Sequence, residues 1–482
     1  MNGSIVVVGL GPAGLDRAAD TVRAALEDPA TAVLVRTLRH SAAAELAVIR
    51  PVADADDLYE AAEEPAAVYR EIVERVLQMA ADGPVAYAVP GSALVGERSV
   101  AMLREAAGAA GIPMTVHAGE SFVDAALEAL GLDPLERGLQ VLDGRDLPEP
   151  LLLHLPTLIS QVDSGLVLMD VRDRLGRLLP DDTPVVVLDS LGGAAERVER
   201  TTLAGVRAEH AGDRVTLFLD PPAPGWPGLV QTNARLRVEC PWDREQTHHT
   251  LAKHLLEEAY EALDAIEAMP PEAPGGEPDH AGYAEMEEEL GDLLLQVVFH
   301  ATLAAETGSF GVEEVAEGIR RKLVRRHPHV FGDVAAETSE HVKANWDVLK
   351  QQEKRRQSLM DGVPSALPAL SRAHTLQGRA ARIGFDWPDL EGVVAKIREE
   401  IEELVADLDR PRRAADELGD LLFSVVNLAR RLDADAEQAL RAATARFERR
   451  FRAMEESGSL SGLTLEELDR RWEAAKAAES DA

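Results

Sequence analysis

Two observations predict a multidomain chain with an N-terminal α/β domain followed by two all-α helical-bundle modules. Up to about residue 225, short β-branched runs alternate with helical segments, and beyond it the strand signal vanishes. All five tryptophans (Trp226, Trp242, Trp346, Trp387, Trp472) lie past that point. The stretch Pro221-Pro222-Ala223-Pro224-Gly225-Trp226-Pro227-Gly228, rich in residues that break helices and central strands, marks the boundary.

In chain order, Ile5 to Val8, Val33 to Val35, Val85 to Val89, Met114 to Val116, Leu166 to Met169, Val185 to Leu188 and Val215 to Leu219 read as buried strands. Ala66 to Ala80 and Ser99 to Ala110 read as helices between them, which argues for a parallel or mixed sheet. Beyond the boundary, residues 247–269, 283–306, 312–326, 337–357, 391–408, 412–432 and 434–456 read as amphipathic helices. Breakers at Pro270 to Gly276 and at Asp361 to Pro368 separate them. The expected domains are 1–225 (α/β), 240–357 (first helical module) and 377–460 (second), with linkers at 226–239 and 358–376 and a helical tail at 461–482.

Composition narrows the function. With 50 Lys+Arg against 85 Asp+Glu the net charge is −35, so neither nucleic acid nor an anionic membrane is the expected partner, whereas metal cations suit the charge. Cys240 is the single cysteine, which rules out an internal disulfide and a zinc-ribbon site and points to a reducing cytoplasm. The first residues lack a basic leader, and no run of about 18 apolar residues occurs anywhere in the chain.

The helical half carries an internal repeat. Glu257-Glu258-Ala259-Tyr260-Glu261 recurs as Glu399-Glu400-Ile401-Glu402-Glu403, and Glu289-Leu290-Gly291-Asp292 as Glu417-Leu418-Gly419-Asp420. Each acidic Leu-Gly-Asp segment is followed by a Val-Val pair, and Lys322 to Arg326 is echoed by Arg446 to Arg450. Helical residues three or four apart share a face. Glu258 with Glu261, and Glu289 with Asp292, therefore project together. Two helices joined by the Pro/Gly loop as an antiparallel hairpin would bring four or five carboxylates into one pocket. Such a cluster is unfavourable until a divalent cation sits among the oxygens, and hard oxygen donors favour Mg²⁺ or Mn²⁺ over zinc. Leu290, Leu293, Leu294, Val297 and Val298 imply that this helix is largely buried. Lys322 and Arg326, one turn apart, are candidates to hold phosphates, so the parts fit hydrolysis at phosphorus.

The run Cys240-Pro241-Trp242-Asp243-Arg244-Glu245-Gln246-Thr247-His248 precedes these acidic motifs, and Arg325-Arg326-His327-Pro328-His329-Val330-Phe331 follows them. With Gly384-Phe385-Asp386-Trp387-Pro388 opening a second copy, residues 240 to about 456 resemble the MazG nucleoside triphosphate pyrophosphohydrolases. The resemblance implies an all-α, Mg²⁺-dependent fold that cleaves (deoxy)nucleoside triphosphates between the α and β phosphates, and the family is usually dimeric. It implies metal-binding and catalytic carboxylates at Glu257, Glu258, Glu261, Glu289 and Asp292, then at Glu399, Glu400, Glu403, Glu417 and Asp420. It places phosphate contacts at Lys322 and Arg326, then at Arg446 and Arg450, where Arg446 stands in place of the expected Lys. Trp242 and Trp387 are candidates to stack on a base or to pack in a core or interface. Cys240 reads as a small packed residue, and His327 and His329 as turn or cap residues.

Val8-Gly9-Leu10-Gly11-Pro12-Ala13-Gly14, Tyr87-Ala88-Val89-Pro90-Gly91-Ser92 and Gly119-Glu120-Ser121-Phe122 resemble the tetrapyrrole (corrin/porphyrin) methylases. That likeness implies S-adenosylmethionine in a cleft between two α/β lobes, with Gly9, Gly11, Gly14, Pro90 and Gly91 near the cofactor. Here Ala13 interrupts the family's usual Gly-Pro-Gly-Asp turn. Three readings stay open at this stage: a nucleotide pyrophosphohydrolase, a bifunctional protein that also methylates, and a non-catalytic nucleotide sensor.

Overall fold

The computed structural model describes residues 3–61, 65–332 and 358–480. The helix expected over 337–357, with Trp346, lies outside the described residues. Contacts divide the chain into two units, Met1–Glu317 and Gly318–Ala482.

The first unit opens with an α/β lobe: β1 (Ile5–Gly9), α1 (Asp20–Glu27), β2 (Ala32–Val35), α2 (Ser41–Ile49), β3 (Ala53–Asp54), α3 (Asp56–Ala61), α4 (Pro65–Asp82), β4 (Val85–Val89), α5 (Arg98–Ala110) and β5 (Met114–His117). Its sheet has the order β3-β2-β4-β1-β5, with every pairing parallel. Alternate residues of β1 serve opposite faces. Ile5 and Val7 pack with Ile72, Val76 and Leu103 of α4 and α5, and Val8 packs with Val22, Leu26 and Leu46 of α1 and α2. A parallel strand covered on both sides is apolar throughout, which is why these runs read clearly.

A second lobe follows: α6 (Phe122–Leu130), α7 (Pro134–Arg137), β6 (Gln140–Asp143), β7 (Thr157–Ser160), α8 (Gly165–Gly176), β8 (Pro184–Asp189), β9 (Arg197–Thr202) and β10 (Val215–Leu219). Its sheet runs β6-β7-β10-β8-β9, parallel at β6/β7 and antiparallel elsewhere. One expectation is corrected here: Leu166–Met169 is not a strand but part of α8. The Ser164 hydroxyl accepts from the Val167 amide at 3.3 Å and starts a helix that buries Leu168, Val171 and Leu175, a helical spacing. A short apolar run alone does not separate the two structures.

The rest of the first unit is helical: α9 (Gly225–Glu239), α10 (Pro241–Glu245), α11 (His248–Ala268), α12 (His280–Glu306) and the start of α13 (Val312–Arg326). The second unit holds the end of α13, then α14 (Pro328–Phe331), α15 (Ala369–Ala381), α16 (Leu390–Ala406), α17 (Pro411–Arg431), α18 (Ala436–Glu456) and α19 (Leu465–Ser480).

Both stretches read as linkers contain helix. Residues 226–239 lie in α9, where Pro227 falls in the first turn and costs no helical hydrogen bond. Residues 369–376 open α15. Each of these helices is tied to the module after it. Asn233 donates to Thr302 Oγ1 of α12 at 2.9 Å, Arg237 grips Glu306 at 2.6 and 3.0 Å, and Gln377 donates to the Phe423 carbonyl of α17 at 2.8 Å. No helix among the described residues is long and apolar enough to cross a membrane.

Candidate functional site

The hairpin α11–α12 sets the first acidic site. Glu258 stands ten residues before the end of α11 and Glu289 nine after the start of α12, so in an antiparallel pair both sit at one height above the loop. One carboxylate oxygen each from Glu258, Glu289 and Asp292 lies within 4.8 Å of the other two. The hairpin α16–α17 repeats the arrangement: Glu400 is six residues before its helix end and Glu417 six after the next start. Glu400, Glu417 and Asp420 meet the same 4.8 Å limit. In both sites the first glutamate is buried or half-buried and the aspartate is exposed.

Crowding of like charge raises the pKa of three of these carboxyls beyond what desolvation does, although Glu400 of the second cluster has Lys396 beside it. Desolvation, then Asp292 and Glu261, raises the Glu258 pKa, and Glu258 also shares a hydrogen bond with Glu261. Desolvation followed by Glu261 and Asp292 raises Glu289, and desolvation followed by Glu403 and Glu400 raises Glu417. Glu261 and Glu403 thus act on the clusters as neighbouring charges. All donors are carboxylate oxygens, the set that hard dications prefer, and a dication would relieve the repulsion that raises these pKa values.

Glu257 and Glu399 turn elsewhere. Glu257 Oε2 lies 3.0 Å from His254 Nδ1, whose ring meets Trp242 edge-on at 6.0 Å. Lys396 occupies the matching place in the second copy, 3.0 Å from Glu399 and 2.7 Å from Glu400, and its pKa is raised by those two contacts. Sequence reading missed this lysine, although its i,i+4 spacing to Glu400 makes it legible.

The burial expected along α12 is corrected. Leu290, Leu294 and Val297 are 44, 40 and 39% exposed, and their counterparts Leu418, Leu422 and Val425 are 46, 48 and 42% exposed. Only the second valine of each pair, Val298 and Val426, is buried. Burial by this chain therefore does not argue that Asp292 needs a partner; its convergence with Glu258 and Glu289 does.

Among the basic residues, Lys322 is exposed and Arg326 buried, and both belong to the second unit. Arg446 is exposed, while Arg450 is held by Glu479 at 2.6 Å. Trp242 is half exposed, and the Trp387 ring covers Gly392 at the start of α16. Cys240 is partly buried at the α9–α10 junction. His327 Nδ1 lies 2.7 Å from the Leu323 carbonyl at the end of α13, the capping place expected of it.

In the N-terminal lobe close approach requires Gly9 and Gly14, and positive φ favours glycine at positions 11 and 91. A Cβ on Gly9 would stand 2.0 Å from the Ala118 carbonyl oxygen and 2.6 Å from that of Gly91. Gly11 and Gly91 exchange backbone hydrogen bonds at 3.0 Å with φ of +77° and +63°, so the turns after β1 and β4, Pro90 included, lie side by side. Gly14 has an ordinary extended backbone, but a Cβ there would meet the Glu45 carboxylate at 2.6 Å. The same carboxylate accepts from the Leu15 amide at 2.9 Å. His40, missed from sequence, bonds the Gly11 backbone, and desolvation lowers its pKa.

Comparison with known proteins accords with both halves. Residues 246–331 and 389–454 match the family described as the MazG nucleotide pyrophosphohydrolase domain, and residues 4–206 match the Tetrapyrrole (Corrin/Porphyrin) Methylases. Protein YabN of Bacillus subtilis (strain 168) is 35% identical over 500 residues, spanning 99% of this chain and 99% of its own. The nucleoside triphosphate pyrophosphohydrolase/pyrophosphatase MazG of Thermotoga maritima is 46% identical over 52% of this chain and 94% of its own. The nucleoside triphosphate pyrophosphohydrolase of Escherichia coli (strain K12) is 42% identical over 50% of this chain and 92% of its own. Among solved structures, a uroporphyrin-III-C-methyltransferase from Thermus thermophilus aligns over 45% of this chain and 92% of its own, at 24% identity and a TM-score of 0.36.

Proposed function

The chain belongs to the MazG nucleotide pyrophosphohydrolase family, here joined to an N-terminal tetrapyrrole-methylase domain, and on that premise we propose that it hydrolyses (deoxy)nucleoside triphosphates to monophosphates and pyrophosphate. The observation that carries the reading is the pair of three-carboxylate clusters, each assembled by one helical hairpin. Glu258, Glu261, Glu289 and Asp292 would hold the cation in the first copy, and Glu400, Glu403, Glu417 and Asp420 in the second. Mg²⁺ or Mn²⁺, when bound, supplies charge to the phosphate oxygens and lowers the pKa of the attacking water. The water oxygen bonds to the α phosphorus, the α–β anhydride bond breaks, and pyrophosphate leaves with the electron pair. A carboxylate of the cluster takes the proton. Arg446 and Arg450 take the phosphates in the second copy, and the matching pair in the first is Lys322 and Arg326.

The exposed leucine and valine face repeated on α12 and α17 supports a homodimer. The charge of −35 argues against a nucleic-acid or anionic-membrane partner, and the single cysteine suits the reducing cytoplasm in which we place this nucleotide-pool enzyme. Each helical module is proposed to begin with its tethering helix, α9 or α15. The test is pyrophosphate release from a nucleotide panel by the full chain. Release with Mg²⁺ that stops with a chelator supports the reading; no release under either condition leaves the nucleotide-sensor reading.

A second reading rests on the paired turns at Gly11 and Gly91, close-packed backbone of the kind that cradles a cofactor. In it the N-terminal domain binds S-adenosylmethionine, which when bound supplies a methyl group. Calorimetric titration of that cofactor into the full chain decides it.

A further inference from the structure

One member of the second copy's basic pair, Arg450, is already engaged by an anion of this chain. Arg450 donates through Nε to Glu479 Oε2 at 2.6 Å, and Arg449 donates through Nη2 to Glu479 Oε1 at 2.9 Å. One carboxylate of α19 thus bridges two guanidinium groups of α18. The Arg450 guanidinium carbon also lies 5.7 Å from the centre of the Trp472 ring, and Trp472 packs on Phe447 at 5.1 Å. Every one of these residues belongs to the second unit.

Guanidinium groups take carboxylate and phosphate oxygens with the same donor geometry. The bridge is not sealed away: Arg450 and Glu479 are 23 and 31% exposed, so an entering solute reaches it. In the sequence, Trp472, Lys476 and Glu479 repeat the spacing of Trp346, Lys350 and Glu353.

We propose that Glu479 is a resident anion for Arg450, the phosphate-contacting arginine of the second copy that it engages. It occupies Arg450 together with the neighbouring Arg449, and the triphosphate displaces it. The proposal rests on the reading of Arg450 as a phosphate contact and adds what occupies that contact between turnovers. Substrate affinity is then set by competition with an internal carboxylate, while the chemical step is untouched.

The test uses the full chain carrying Glu261→Gln, which removes the first copy's contribution, with Mg²⁺ and a nucleoside triphosphate. Glu479→Gln is expected to lower KM by roughly two- to fivefold, the range of a partly exposed ion pair, with kcat unchanged. Glu479→Asp should return KM part of the way. Glu473→Gln, which removes one charge from α19 beside Lys476 rather than the arginines, should leave KM alone. An unchanged or raised KM in Glu479→Gln overturns the proposal. If the parent protein releases no pyrophosphate, the hydrolase reading fails by itself. Titration with inorganic tripolyphosphate then still decides this point: tighter binding by Glu479→Gln supports it, and equal or weaker binding overturns it.

Discussion

Desolvation raises the pKa values of Glu289 and Glu417, and Glu261 and Glu403, on the helices that supply Glu258 and Glu400, raise them further. Replacing both, as Glu261→Gln with Glu403→Gln, is expected to cut pyrophosphate release by about 100-fold or more while the far-ultraviolet dichroism stays intact. The raised carboxyl pKa values also fix a sign. A carboxyl that binds its proton more tightly folded than unfolded loses stability as pH rises past the unfolded value, from about pH 4 upward. A bound dication reverses that loss, so Mg²⁺ should raise the melting temperature more at pH 8 than at pH 5. Equal shifts at both pH values would count against the clusters. A second titration is particular to the first copy. His248 and His300 stack with Nδ1 atoms 2.8 Å apart, where the second copy has Leu390 and Leu428. Desolvation, then His248, lowers the His300 pKa, so its contribution is present above the ordinary histidine range and fades as pH falls through it. Melting temperature should accordingly drop less between pH 7 and pH 5.5 in His300→Leu than in the parent protein.

At the scale of elements, the sequence and the fold agree where pattern determines structure and part where it does not. The helices of both modules are legible because their apolar stripes keep a helical period, and Glu258 with Glu289 is legible because equal distances from a hairpin loop bring residues level. Leu290, Leu294 and Val297 mislead because an apolar stripe identifies a face without revealing whether this chain covers it. The edge strand β9 is hidden because Arg197-Val198-Glu199-Arg200 resembles a solvated loop, and Leu166–Met169 is ambiguous because four apolar residues fit either structure. Lys396 is overlooked because a lone base among glutamates reads as part of a charged face. Packing predictions follow from the same division. Leu251, buried against Phe299 and Leu303, should cost about 2–5 kcal/mol when changed to Ala, read by denaturant unfolding. Leu290→Ser with Leu294→Ser should change stability little and instead shift sedimentation toward the monomer. A monomeric parent protein would refute the proposed role of that face.

For the whole molecule, one chain places a tetrapyrrole-methylase-type α/β domain ahead of two copies of an acidic helical hairpin. The duplication supplies an internal control, because the two clusters share three carboxylate positions but differ at His254 against Lys396. The chain carries a net charge of −35, and each hairpin brings three of its carboxylates together. The most direct test counts the ions: electron paramagnetic titration of the full chain with Mn²⁺, beside Glu258→Gln, Glu400→Gln and the double variant. Each single change is expected to remove one class of bound ion, and the double change to abolish both. Undiminished Mn²⁺ binding by the double variant would contradict it.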